Sequence, residues 1–273
     1  MTRIVNFLLF TSVFITIVAV AMCWHTMQIL GIATDFTLLK IVAFSTLTSY
    51  NLHWYLTREL DYERLQSFWT YHHKKLHLFI VIVSGILLAA ELFKNPVYII
   101  ALFPAGFASA LYTLPKINRP PFTHLKKWAI AKTFYLTLVW TYVTVGLVFV
   151  STSKILTLPD WFYLLNQFFY IYAICVLFDY KDIEADKLSG VPGVFHHFGT
   201  KKAFRLLYLS ILLGIVSTFF LGSIQTTIIH LIPYIAIIYS IPVVRRGADD
   251  YFYYGWLDGC MMAAACIALL QKI

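Results

Sequence analysis

Phe178-Asp179-Tyr180-Lys181-Asp182-Ile183-Glu184-Ala185-Asp186-Lys187-Leu188-Ser189-Gly190 closes an apolar run that begins near residue 160. A run of about 20 apolar residues is the length a helix needs to cross a bilayer. Its end is abruptly acidic. Asp179, Asp182 and Asp186 are spaced i, i+3 and i+7, so they share one face if the helix continues. Three carboxylates on one face repel each other unless a cation lies among them. Hard oxygen ligands suit Mg²⁺, which keeps several waters and also takes phosphate oxygens. Carboxylates, Mg²⁺ and a diphosphate are therefore the natural chemical reading. The plainer alternative is a solvated acidic helix end balanced by Lys181 and Lys187. A position against a membrane span, with basic residues elsewhere to hold phosphate, favours the former.

The pattern of long apolar runs extends in both directions. Of the 273 residues, 60% are hydrophobic and 12% charged, with a mean hydropathy of +0.76. A soluble domain carries about twice that share of charge, and a disordered chain needs low hydrophobicity. Barrel strands are short and alternating. The class is an all-α polytopic membrane protein. Hydropathy gives nine spans, roughly 4–24, 30–56, 77–93, 96–115, 128–150, 160–178, 203–222, 225–244 and 251–270, in a single integral membrane domain covering 1–273. Ala19-Val20-Ala21 resembles a cleavage site, yet the first apolar run exceeds a signal-peptide core, so a retained helix is expected. Cys23, Cys175, Cys260 and Cys266 lie in apolar stretches without CxxC spacing and read as buried small residues.

The formal charge of +8 acquires meaning when mapped. Nine spans put sixteen of the 21 Lys and Arg, from Arg3 to Arg246, on one side and only Lys94, Lys154 and Lys272 on the other. Lys40 and Lys132 fall within spans. Basic residues collect in cytoplasmic loops. This implies a cytoplasmic N-terminus, an external C-terminus and a lipid bilayer rather than nucleic acid as the partner of the basic charge. The two long connections, about 57–76 and 179–202, follow spans 2 and 6 and read as ordered cytoplasmic caps.

The sequence resembles the UbiA-type intramembrane prenyltransferases. Asp179, Asp182, Asp186, Gly190, Gly199, Lys201 and Lys202 match that family's second aspartate-rich motif. Leu111-Tyr112-Thr113-Leu114-Pro115-Lys116 looks like its signature at the end of span 4. The resemblance implies a bundle of nine transmembrane helices with caps after helices 2 and 6, in the bacterial inner membrane. It also implies Mg²⁺-dependent transfer of a prenyl group from a prenyl diphosphate to an aromatic or other lipophilic acceptor. In that reading Asp179, Asp182 and Asp186 are metal ligands, Asn51, Asp179 and Asp182 are catalytic, and Tyr112, Lys116 and Lys132 bind substrate. The first motif departs from the family pattern. In Asn51-Leu52-His53-Trp54-Tyr55-Leu56-Thr57-Arg58-Glu59 only Asn51 and Glu59 keep polar oxygen ligands, because Leu52 and Tyr55 replace the central aspartates. Gly193 stands where the family commonly has threonine. A degenerate, non-catalytic isoprenoid- or lipid-binding protein is the alternative.

Lys132 and Asp258 enter spans 5 and 9 from the cytoplasmic side. Intramembrane charges pair or line cavities, so these two can pair, or Lys132 can face the diphosphate. Leu65, Phe68 and Trp69 suggest a short amphipathic helix in the first cap. His72, His73 and His77 read as interfacial. No broken-helix pair is apparent, which argues against a transporter.

Overall fold

The computed structural model describes residues 2–57, 64–114, 132–184, 186 and 193–271. Among these the regular structure is helical: α1 Thr2–Phe10, α2 Val13–Ile29, α3 Phe36–Leu56, α4 Leu65–His72, α5 Lys74–Lys94, α6 Val97–Thr113, α7 Lys132–Ser151, α8 Leu158–Lys181, α9 Val194–Thr218, α10 Ile224–Arg245, α11 Phe252–Met261 and α12 Ala263–Leu270. Helix falls in each apolar window read from the sequence. By length and apolarity, α5, α7, α8 and α10 can each cross a membrane. The pairs α1–α2 and α11–α12 qualify when each is taken as one bent span, giving up to six among the described residues. The ninefold count therefore rests on the sequence reading. α6 is short at 17 residues, and Ser45, Thr46, Thr48, Ser49 and Asn51 dilute the apolarity of α3.

Large apolar side chains such as Phe79, Ile86, Phe93, Ile100 and Phe103 are exposed. So much bare hydrocarbon fits contact with lipid rather than water. α5 is the most lipid-facing of the long helices, with 11% of its apolar window buried. The core divides in two. One part surrounds α8, where Ile171, Ile174 and Leu177 meet Leu207, Ile237 and Leu257. The other joins Cys23, Met27, Leu38, Val148 and Tyr163.

Two spans are broken, contrary to the sequence reading. α1 meets α2 at 58° and α11 meets α12 at 57°. At the first break Ser12 has φ +64°, a left-handed conformation that a residue with a Cβ enters only when its surroundings enforce it. The bend exposes the Thr11 carbonyl, and the Asn51 Nδ2 amide donates to it at 2.9 Å and to Leu47 O at 2.8 Å. Asn51 Oδ1 accepts from His77 Nδ1 at 2.7 Å. Both residues are fully buried, so His77 is a core histidine rather than an interfacial one. Lys40 reaches Glu91 at 3.5 Å, a pairing that the sequence did not suggest. Gly199 has φ +70° and interrupts α9 just before Lys201 and Lys202, where a new helix start was expected.

Candidate functional site

α8 carries Asp179 near its C-terminus and ends at Lys181, with Asp182 as its C-cap. The Asp186 amide still bonds Asp182 O at 2.8 Å, which keeps the chain wound after the helix proper. The carboxylates of Asp179, Asp182 and Asp186 converge on a single ammonium. Lys132 Nζ, at the start of α7, lies 4.0 Å from Asp179, 3.6 Å from Asp182 and 2.8 Å from Asp186. Lys132 is therefore not paired with Asp258; the carboxylates beside it offer three negative charges instead of one.

Asp179 and Asp182 have further tethers. Thr133 donates its hydroxyl to Asp179. The Val194 amide, in the first turn of α9, donates to the same oxygen at 2.9 Å, where the helix dipole favours negative charge. Arg64 Nη1 donates to Asp182 at 2.7 Å, and Nη2 donates to Lys181 O at 2.5 Å. A Cβ on Gly193 would lie 2.8 Å from an Asp179 oxygen and 2.9 Å from an Asp186 oxygen. Glycine there allows both carboxylates to close on the ammonium.

Burial raises the Asp182 carboxyl, but the charges of Lys132, Lys181 and Arg64 outweigh it and hold that group below the ordinary carboxylate range. Burial pushes Asp186 up to about 6, against the pull of the Lys132 ammonium; the Asp182 and Asp179 charges add to the rise. Among the described residues no group of three or more His, Cys, Asp or Glu is arranged to hold a metal. The donor chemistry nonetheless suits a cation, since three carboxylates already enclose one. A metal ion has to compete with Lys132 for the same focus.

A cavity of about 230 Å³ opens beside this cluster, lined among others by Asp179, Asp182, Lys132, Tyr112, His53, Tyr50, Trp140 and Asp258. The Tyr112 ring stacks on His53 with centroids 5.0 Å apart. A second, more apolar cavity of about 280 Å³ contains Leu52, Leu88 and Leu102, and it shares Ser49, Tyr50, Ser109, Thr113, Val139 and Trp140 with the first. The two are neighbours, separated and walled by those residues.

Of the site residues read from the sequence, the structure brings Asp179, Asp182, Asp186, Lys132 and Tyr112 together. Asn51 is set apart: its amide is spent on Thr11, Leu47 and His77, and it lines neither cavity. Lys116 and Glu59 lie outside the described residues. Arg64 and Thr133 went unrecognised. Thr133 was signalled only by adjacency to Lys132, and Arg64 only as one loop charge among many.

The backbone arrangement is shared by two archaeal proteins. The apo structure of a UbiA homolog from Aeropyrum pernix K1 aligns with a TM-score of 0.68 at 11% identity, covering 94% of this chain and 98% of that one. A UbiA homolog from Archaeoglobus fulgidus, solved bound to GPP and Mg²⁺, aligns with a TM-score of 0.62 at 12% identity, covering 97% of this chain and 99% of that one. This chain has the UbiA fold. No protein-family model matches it, and no curated protein matches it by sequence. Within the UbiA fold of this chain, both cavities are lined by α3, α6 and α7, and the one beside the carboxylates also by α8 and α11.

Proposed function

We propose that the chain is an intramembrane prenyltransferase, moving a prenyl group from a polyprenyl diphosphate to a lipophilic acceptor with Mg²⁺. The observation that carries this reading is a pair of neighbouring cavities with shared walls, one charged at Asp179, Asp182 and Lys132 and the other apolar around Leu52. A prenyl diphosphate has the same two-part character. The UbiA homolog that binds GPP and Mg²⁺ on this fold supports the substrate class.

In this reading the diphosphate head lies at the carboxylate cluster and the tail follows the apolar cavity. Asp179, Asp182 and Asp186 would hold Mg²⁺, which would supply positive charge for the departing diphosphate. Lys132 neutralises the carboxylates between turnovers. Tyr112 borders the reacting end, and Lys116 is assigned to the diphosphate by its place in the span-4 signature. Arg64, at the N-cap of α4, ties that helix to Asp182, which suits keeping water from an allylic cation. The aromatic lining from Tyr50, Trp54 and Trp140 offers π faces to that cation. Asn51 acts as a positioning residue for the α1–α2 break.

The second reading, an isoprenoid- or lipid-binding protein without transfer, is favoured by Leu52. This residue is 36% exposed, lines the apolar cavity and replaces an expected acid, so it brings no metal ligand. Purified protein incubated with radiolabelled prenyl diphosphates and a pooled lipid extract, with and without Mg²⁺, separates the two. Mg²⁺-dependent label in a lipophilic product is expected. Tight binding without transfer, in any extract tested, establishes the second reading.

A further inference from the structure

Asp258 belongs to none of the tethers described above. It opens the α-helical part of α11, immediately after a π-helical turn over Phe252–Leu257. A π turn inserts an extra residue into a helix and rotates the side chains that follow it. Here the rotation accompanies a carboxylate that lines the cavity while being only 8% exposed. Among the described residues it has neither a hydrogen bond nor an ion pair. The cation that acts on it electrostatically, Lys181, is engaged by Asp250 at 2.6 Å and lies over the Tyr254 ring at 4.1 Å. A buried carboxylate without a partner is costly in a bilayer interior. Its placement makes sense when a ligand brings the missing donor.

The neighbouring groups describe that ligand. Tyr50, Tyr254 and Cys175 lie within electrostatic range of Asp258. The Tyr50 hydroxyl oxygen accepts from Trp140 Nε1 at 2.9 Å, which leaves its own proton free to donate. The cavity thus holds a charged cluster enclosing a cation. It also holds a second, unpaired proton acceptor among aromatic rings, beside a free hydroxyl donor. The first part suits the leaving diphosphate and the second suits the nucleophile.

We propose that Asp258 docks a hydroxyl-bearing acceptor and takes the proton released in prenyl transfer. The inference rests on the prenyltransferase reading and adds the residue that completes its proton balance. The allylic carbon–oxygen bond of the diphosphate breaks and its electron pair leaves with the diphosphate. A new bond forms from the acceptor to the allylic carbon. The proton lost by the acceptor goes to an Asp258 oxygen.

Three measurements on the full-length protein test this. The affinity for a non-hydrolysable S-thiolo prenyl diphosphate is read by calorimetry, transfer and diphosphate release are read in the extract assay, and binding of 4-octylphenol is read by quenching of the cavity tryptophans. Asp258→Asn is expected to keep analogue affinity within about twofold, to reduce transfer at least a hundredfold, to leave hydrolytic release of diphosphate measurable, and to weaken 4-octylphenol at least tenfold. Asp258→Glu restores part of the transfer. Unchanged transfer in Asp258→Asn overturns the proposal. So does an equal loss of analogue affinity, which would mark a structural role. If the unsubstituted protein transfers nothing, the prenyltransferase reading and the proton role fall together. The phenol measurement then decides whether Asp258 is still a docking point.

Discussion

Lys132 decides how the carboxylate cluster behaves when no ligand is bound. Asp179 is 3% exposed and Asp186 8%, so both charges are largely withdrawn from water and lie against one ammonium. Removing one partner of a buried ion pair costs about 3–5 kcal/mol, because an uncompensated charge stays behind. Lys132→Met is therefore expected to lower thermal stability sharply in metal-free buffer. It should also convert the cluster into a cation site, so millimolar Mg²⁺ or Mn²⁺ restores much of the loss. The unsubstituted protein should respond little to the same metals. Thermal unfolding in detergent with and without Mg²⁺ reads this, and a variant indifferent to Mg²⁺ would refute the competition between ammonium and metal. Gly193 supplies a second test at the same scale. An added Cβ at 2.8–2.9 Å from two pinned oxygens must push the carboxylates apart. Gly193→Ala should cost about 1–3 kcal/mol of stability, as overpacking does, and should weaken Mn²⁺ uptake measured by electron paramagnetic resonance. Undiminished stability and uptake would mean that the carboxylates move aside freely.

At the scale of elements, the break between α1 and α2 gives Asn51 a structural task. An interrupted helix leaves carbonyls without partners, and a buried unpaired group costs about 1–3 kcal/mol. Asn51 meets that need for Thr11 and closes the set with His77. Asn51→Leu is expected to lower the unfolding temperature of the protein while leaving prenyl diphosphate affinity within a few-fold in the folded fraction. Unaltered stability with lost affinity would return Asn51 to the catalytic machinery. The sequence announced this residue as a motif match but could not show its direction, because the partner carbonyl exists only through a bend that no residue pattern marks. Ser12 is an ordinary serine in the sequence, and its left-handed conformation is imposed by packing. The π turn before Asp258 is equally silent. By contrast, the meeting of Asp179, Asp182 and Asp186 was legible, since helical spacing puts them together whatever the tertiary context.

Across the whole molecule, the helices fall where the apolar windows put them, because a bilayer demands long uninterrupted runs and leaves few alternatives. What those runs do not reveal is how the spans bend. α11–α12 reads as one continuous stretch in the sequence yet turns by 57° at Met262. Charge provides an independent check on the number of crossings, because each interior span that is missed or added inverts the side assigned to every loop after it. Sixteen basic residues fall on one side under the nine-span arrangement, and Arg64, Lys181 and Arg245 are among them. Arg64 bonds Asp182 directly, and Lys181 forms an ion pair with Asp250, so Arg64 and the ends of α8 and α10 meet at one face. Reporter fusions after Lys75, Lys187 and Arg246 are expected to report the cytoplasm, with one after Ile273 reporting the opposite side. A cytoplasmic signal from Ile273 would require an even number of crossings. The ion pair from Lys181 to Asp250 restricts where that change could fall, because the ends of α8 and α10 must stay on one face. The span count would then have to change either before α8 or after α10, and the bent α11–α12 pair would become the first candidate for a segment that enters the membrane and returns.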